Sequence, residues 1–178
     1  VKQIIKHLEE LVDPTTTYWG ALIGPIDILF HEAAISNSYT KDEKEAFHVN
    51  VHLAMDLFEL AIKKGCKKIV YASSTAVYGN EKAPYIEKVT KLSPLNPYGS
   101  SKMAFEHWAS GFASRNSDIL VVGLRYSSVY GPREKHKGNM ASMLYKLAQQ
   151  KDVVRVFKYG EQKRDSVYVE DVVRANIL

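Results

Sequence analysis

Tyr98 and Lys102 stand four residues apart in the run Asn96-Pro97-Tyr98-Gly99-Ser100-Ser101-Lys102, a spacing that puts both on one face of a helix. An ammonium beside a phenol favours the phenolate, so this pair predicts a phenol with a lowered pKa that exchanges a proton near neutral pH. Local signals predict that a helix starts here. Asn96 suits an N-cap and Pro97 the first helical position. Phe105, Ala109 and Phe112 then continue an apolar stripe at helical spacing.

The Tyr-x-x-x-Lys spacing also arises by chance, and two neighbouring features lift it above that. The run Lys67-Lys68-Ile69-Val70-Tyr71-Ala72-Ser73-Ser74-Thr75 is apolar and ends abruptly in hydroxyl residues. A buried parallel strand reads this way where it opens into a site. The connection from Ser74 to Tyr98 is long and rich in Pro, Asn and Gly, and long loops in compact domains are often functional.

The elements that must hold these residues alternate. From Pro25 onward, strands are expected at Ile26 to Phe30, Lys68 to Ser73, Ile119 to Leu124 and Val153 to Phe157. Helices are expected at Asp42 to Lys64, Pro97 to about Arg115, Met140 to Gln150 and Glu170 to Leu178, with a loop from Tyr126 to Asn139. This alternation predicts an α/β fold with a parallel sheet and crossover helices. The helix from Asp42 places Phe47, Asn50, Ala54, Leu57 and Ala61 on one face. The first 24 residues are less regular: Val1 to Leu11 has helical spacing, while Asp13 to Gly20 reads as loop.

With 178 residues, 46% hydrophobic and 25% charged, the chain is expected to form a globular core. A net charge of +4, from 24 basic and 20 acidic residues spread along the chain, argues against a nucleic-acid partner. The densest basic cluster, Lys63-Lys64-Gly65-Cys66-Lys67-Lys68, fits a helix C-terminus followed by a strand. The one cysteine, Cys66, leaves no internal disulfide and no thiolate metal cluster, and His31 and Glu32 have no metal partner at useful spacing. No apolar run is long enough to span a membrane and no signal pattern opens the chain, so the expectation is a cytoplasmic protein without a membrane partner.

The chain resembles the extended short-chain dehydrogenase/reductase superfamily, in its nucleotide-sugar epimerase branch. The matching motifs are Phe30 to Ala34, Tyr71 to Gly79, Tyr98 to Lys102, Leu124-Arg125-Tyr126 with Val129 to Arg133, and Lys163 to Val169. The resemblance implies a Rossmann-like, doubly wound parallel sheet, incomplete at the N-terminus. Residues 25–126 would be part of the dinucleotide-binding domain and 127–178 elements of a smaller substrate lobe, after an uncertain, possibly discontinuous segment 1–24. The family's phosphate-binding glycine loop and its NAD-or-NADP selecting residue are not found before Pro25. The chain is therefore expected to be a fragment, or the ordered residues, of a longer protein, and the cofactor stays NADP or NAD.

The resemblance also implies roles. Tyr98 would act as acid and base on a sugar hydroxyl while the nicotinamide takes a hydride from the same carbon. Ser74, or Thr75 in its place, would hold the reacting oxygen, and Lys102 would lower the Tyr98 pKa and hold the nicotinamide ribose. The plain alternative for Ser74 is a strand-end hydroxyl that caps a turn. Sugar-nucleotide dehydratases of the family carry an Asp-Glu pair after the threonine, whereas this chain has Ala76-Val77, which disfavours dehydration. The loop Tyr130 to Ser142 is most similar to that of ADP-L-glycero-D-manno-heptose 6-epimerases, whose His-Lys-Gly lysine, here Lys137, is a second acid/base. A solvated basic loop is the alternative for Lys137.

Around these, Asn139, Phe157 and Arg164 correspond to substrate contacts, Arg164 gripping the diphosphate. Ser128 takes the place of a substrate-touching Asn in the usual Phe-Asn, a departure that puts the sugar in doubt. Ala33, Ala34, Ile35 and Val129 would border the cofactor. Asn50, grouped with them, is better explained by a tie to the neighbouring loop backbone. The reading is an NAD(P)-dependent nucleotide-sugar epimerase working by transient oxidation to a ketone and re-reduction, with a homo-oligomer expected. A UDP-hexose 4-epimerase and a catalytically idle dinucleotide-binding relative are the alternatives.

Overall fold

Cap chemistry and apolar spacing account for most element boundaries. A computed structural model describes residues 24–37, 42–150, 159–161 and 163–178. The expected elements before Pro25, the strand at Val153 to Phe157, and Phe157 itself lie outside the described residues. The chain forms two compact units, one running up to Arg125 and one from Tyr126 to Leu178.

In the first unit, β1 (Ile28–His31) pairs in parallel with β2 (Lys68–Ser74), Leu29 opposite Ile69 and His31 opposite Tyr71. β3 (Leu120–Tyr126) lies on the other side of β2, giving a three-stranded sheet with β2 in the middle. β2 is buried from Ile69 to Ser73, as a central strand of an α/β sheet must be. Neighbouring parallel strands joined through helices are the expected Rossmann-like arrangement.

The expected helix from Asp42 is present but not uniform. It runs as α1 (Glu43–Phe47), a π-helical stretch at His48–Leu53, and α2 (Ala54–Lys63). Asp42 caps it by accepting the Glu45 amide at 2.9 Å. Gly65 ends it with φ of 91°, its N–H donating to Ile62 O. After β2, a 3₁₀ turn (Thr75–Tyr78) leads into the long connection, and α3 spans Pro97–Arg115. Asn96 caps α3 through the Gly99 amide at 2.8 Å.

The core lies between the sheet and helices α2 and α3. Phe58, fully buried, is edge-on to Phe105, Phe112, Trp108, Tyr71 and His31.

In the second unit, the expected loop after Tyr126 contains β4 (Ser128–Tyr130) and a 3₁₀ segment (Glu134–Met140). β4 pairs in parallel with β5 (Ser166–Tyr168). The expected helix from Met140 is shorter, α4 (Met143–Ala148), because Ser142 caps it and Gly138, with φ of 52°, interrupts the helical path upstream. α5 (Val169–Ile177) follows β5 directly. Among the described residues no helix is long and apolar enough to cross a membrane.

His31 makes the core sensitive to acid. Burial, and then the Lys102 ammonium, push its imidazole down to about 4 from an ordinary 6.5. Above pH 6.5 the ring is neutral in both folded and unfolded chains. Below it, only the unfolded chain takes up the proton until about pH 4. Stability is therefore lost as pH falls through that window, by about 3 kcal/mol. Urea unfolding at pH 7 and pH 4.5 should show this loss, and His31→Leu should reduce it.

Candidate active site

Three elements converge on the residues that sequence spacing selects. β2 ends at Ser74, whose Oγ accepts the Ala76 amide at 3.1 Å and so caps the 3₁₀ turn. Tyr98 stands on the first turn of α3, with the Ser74 hydroxyl near enough to its phenol to favour the phenolate. Ser74 thus makes the turn cap that is the plain alternative for it. Thr75, half-buried, begins the turn beside it.

Lys102 lies one turn along α3 and is only 4% exposed. Its Nζ donates to Ala72 O at 2.8 Å, at the end of β2. Burial pushes the ammonium down to about 8, against the opposing pull of Glu32 and Glu106. The expectation of a lowered Tyr98 pKa is corrected here. Burial raises the Tyr98 phenol above its ordinary 10.0, and the Ser74 hydrogen bond opposes that rise. Shared helix face does not amount to contact: the ammonium is directed to a strand-end carbonyl, so desolvation dominates.

Asn50 explains how the loop after β1 is fixed to this helix. Its Oδ1 accepts the Ile35 amide at 2.8 Å, and its Nδ2 donates to Ile35 O at 3.0 Å and Ser101 Oγ at 3.0 Å. Ser101 Oγ in turn donates to Tyr98 O at 2.8 Å. Asn50 is 1% exposed. Its amide is therefore taken up by the Ile35 backbone and the Ser101 hydroxyl, and the Ile35 side chain packs with Val49 and Leu53. Ala33 and Ala34, half-buried just past β1, leave room at the C-terminal end of the strand, where ligands bind in such sheets.

Spacing does not single out Glu106, yet it lies four residues beyond Lys102, in a Tyr98, Lys102, Glu106 series that the sequence does display. Its Oε1 accepts the Ser73 hydroxyl and Arg125 Nε at 2.9 Å, and its Oε2 accepts Arg125 Nη2 at 2.6 Å. Arg125 also donates to the Tyr78 hydroxyl at 2.7 Å and stacks over that ring. The carboxylate first, and the Tyr78 hydroxyl after it, raise the guanidinium's pKa further.

The second unit carries the other candidates. Glu134, buried, accepts the Gly131 amide at 3.0 Å, the Ser142 amide at 2.6 Å and the Ser142 hydroxyl at 2.8 Å. Burial opposes its charge, but these donors and the nearby Lys137 hold the carboxyl below its usual range. Lys137 Nζ lies 3.8 Å from Glu134 and is 41% exposed. The carbonyl of Asn139 accepts Lys146 Nζ at 2.6 Å. Ser128 and Arg164 are exposed, and Val129 sits half-buried in β4 opposite Val167. No group of His, Cys, Asp or Glu among the described residues is arranged to hold a metal.

Comparison with known proteins places this geometry. The chain is similar to the ADP-L-glycero-D-manno-heptose-6-epimerase of Helicobacter pylori, at 38% identity and a TM-score of 0.81, over 94% of this chain and 53% of that one. It is also similar to the UDP-glucose 4-epimerase of Thermotoga maritima, solved with UDP-glucose, at 31% identity and a TM-score of 0.73, over 85% and 50%. A third likeness is to the Thermus thermophilus UDP-glucose 4-epimerase in complex with NAD, at 30% identity and a TM-score of 0.71, over 86% and 52%. The chain spans about half the length of these structures. Residues 15–178 match the family described as NAD dependent epimerase/dehydratase, and it is to this family that the chain belongs.

Proposed function

We propose that this chain carries the proton-relay half of an NAD-dependent nucleotide-sugar epimerase of the ADP-heptose 6-epimerase kind. The seating of Ser74 at the end of β2 and of Tyr98 and the buried Lys102 on the first turns of α3, with Lys102 Nζ donating to Ala72 O at 2.8 Å on that strand, is the observation that carries the reading. The residues fit a dinucleotide. Small side chains follow β1, and a buried ammonium with one protein acceptor, Ala72 O, has further protons to offer a diol. Bound NAD would supply a hydride acceptor that returns the same hydride.

Tyr98 takes the proton of a sugar hydroxyl as the carbon bearing it is oxidised to a ketone, and gives it back on reduction. Ser74 holds the reacting oxygen by hydrogen bond. Lys102 supports the phenolate and holds the nicotinamide ribose. Because burial raises the phenol, the phenolate would become attainable only if Lys102 turned one of its protons toward it or the bound cofactor brought positive charge. Lys137, half-exposed in a loop pinned by Glu134, serves as the second acid/base for the opposite stereoisomer, and Arg164, with its exposed fork of donors, meets the diphosphate. Asn139, Ser128 and Thr75 border the sugar. A nucleotide-sugar substrate belongs to the same proposal, supported by the likeness to an epimerase solved with UDP-glucose, and a homo-oligomeric state and a cytoplasmic setting are proposed with it.

One observation favours a UDP-hexose 4-epimerase instead: the approach of Lys137 to Glu134 gives that lysine a purely structural task. Variants separate the two. Tyr98→Phe should lower kcat by roughly 100- to 10,000-fold on any substrate. Lys137→Ala should lower interconversion of the two ADP-heptose epimers by a similar factor, followed by NMR of the sugar. Turnover of a UDP-hexose but not of ADP-heptose, unchanged in Lys137→Ala, would leave only the 4-epimerase reading, and full activity of Tyr98→Phe would leave neither.

A further inference from the structure

We propose that Arg125 is a positioning residue that latches the connection between Ser74 and Tyr98 onto the sheet and so fixes the Tyr98 phenol relative to Ser74. The inference rests on Tyr98 acting as the acid and base. Residues 79–96 carry the chain from the 3₁₀ turn to α3 without a strand or a helix, so groups outside the connection must hold it. Its neck is closed on the turn that Ser74 caps. Ser93 N donates to Val77 O at 2.9 Å, and Gly79 lies so close that a side-chain carbon there would overlap the Ser93 carbonyl. The neck also seats the relay helix. A side-chain carbon at Gly99, next to Tyr98, would stand 3.0 Å from Pro94 Cβ and 2.8 Å from Ala76 O. A shift of the neck therefore moves Tyr98.

The body of the connection is held by Arg125, near the end of β3. Its guanidinium divides its donors between two sides. Nε and Nη2 donate to Glu106 on α3 at 2.9 and 2.6 Å, and the same carboxylate accepts the Ser73 hydroxyl on β2. This largely buried ion pair anchors the guanidinium to helix and sheet. Nη1 is left for the connection. It donates to the Tyr78 hydroxyl at 2.7 Å and to Glu87 O at 3.5 Å. The guanidinium carbon lies 4.9 Å from the centre of the Tyr78 ring, and Tyr85 stacks on Tyr78 with ring centres 4.4 Å apart. Tyr85 and Glu87 both belong to the connection, so Arg125 meets it directly and through Tyr78. A planar fork of donors can serve both sides together. A lysine ammonium, a single point of charge, can keep the Glu106 pair but cannot also span to Tyr78 and Glu87.

Arg125→Lys therefore keeps the charge and drops the latch, and Tyr78→Phe removes only the hydroxyl that accepts Nη1. Both are made in the full-length protein, alone and together with Tyr98→Phe. In Arg125→Lys, amide hydrogen exchange across residues 80–92 should run about tenfold faster, while β2 and the core of α3 keep their protection. Its kcat should fall about tenfold with KM within about twofold of wild type, because misplacing a reacting group slows chemistry more than binding. On the residual activity of Tyr98→Phe the same change should cost nothing further, since its effect acts through the phenol. Tyr78→Phe should show the same pattern at smaller size, and it carries the test if Arg125→Lys does not fold. Unchanged exchange in the connection, loosening spread equally over β2 and α3, a wild-type kcat, or a second full loss on Tyr98→Phe each overturns the proposal. If Tyr98→Phe alone is fully active, the catalytic reading fails by itself, and the exchange data still decide whether Arg125 holds the connection.

Discussion

An ammonium confined to the interior is the constraint around which the first unit is organised. Lys102 sits 4% exposed, where a bare cation is strongly disfavoured. Three features offset that penalty. The Ala72 carbonyl at the end of β2 accepts one proton, and two carboxylates, Glu32 and Glu106, supply opposing charge from different elements. Each requires a fixed backbone: β2 must end where it does, β1 must run beside it, and α3 must lie across both. The aromatic packing of Phe58 against Phe105 and Phe112 fixes α3 and α2 against the sheet, so apolar burial and charge placement depend on one another.

The second unit solves a related problem with a different charge. Its loop after β4 has little apolar material, and its order comes from Glu134. A buried carboxylate accepting two backbone amides and a hydroxyl acts as a surrogate turn, gathering Gly131 and Ser142 around it. Lys137 rides on this loop, so its position follows from Glu134 whether its role is chemical or structural.

Where structure follows from adjacent residues, the sequence was sufficient. Asn96, Pro97 and the stripe to Phe112 define α3 at both ends because caps and helical spacing are local. The Gly65 terminus of α2 is legible for the same reason. The π-helical stretch is not, since it accompanies Asn50 reaching a loop 15 residues away, although the polar residue on an apolar face does signal such a tie. β4 and β5 escape notice because each has three residues and gains its strand character from a distant partner. The Tyr98 phenol illustrates the deeper limit. Spacing reveals which charges share a helix face, whereas the balance between a neighbouring charge and desolvation depends on burial, which spacing does not encode. Glu106 was visible as a third member of that series, but its significance lies in Ser73 and Arg125, on other elements.

The turn after Ser74 bears on the class of reaction. Removing water from a sugar requires an acid for the departing hydroxyl in addition to the relay that oxidises and reduces. The positions following Thr75 would be the place for one, and they are Ala76 and Val77. Val77 is fully buried, and the Ala76 carbonyl is packed so closely on α3 that a side-chain carbon at Gly99 would stand 2.8 Å from it. The start of the helix is thereby brought close to the turn that Ser74 caps. The family to which the chain belongs is described as one of both epimerases and dehydratases, and in this chain the seat of α3 against the turn after Ser74 is close and apolar.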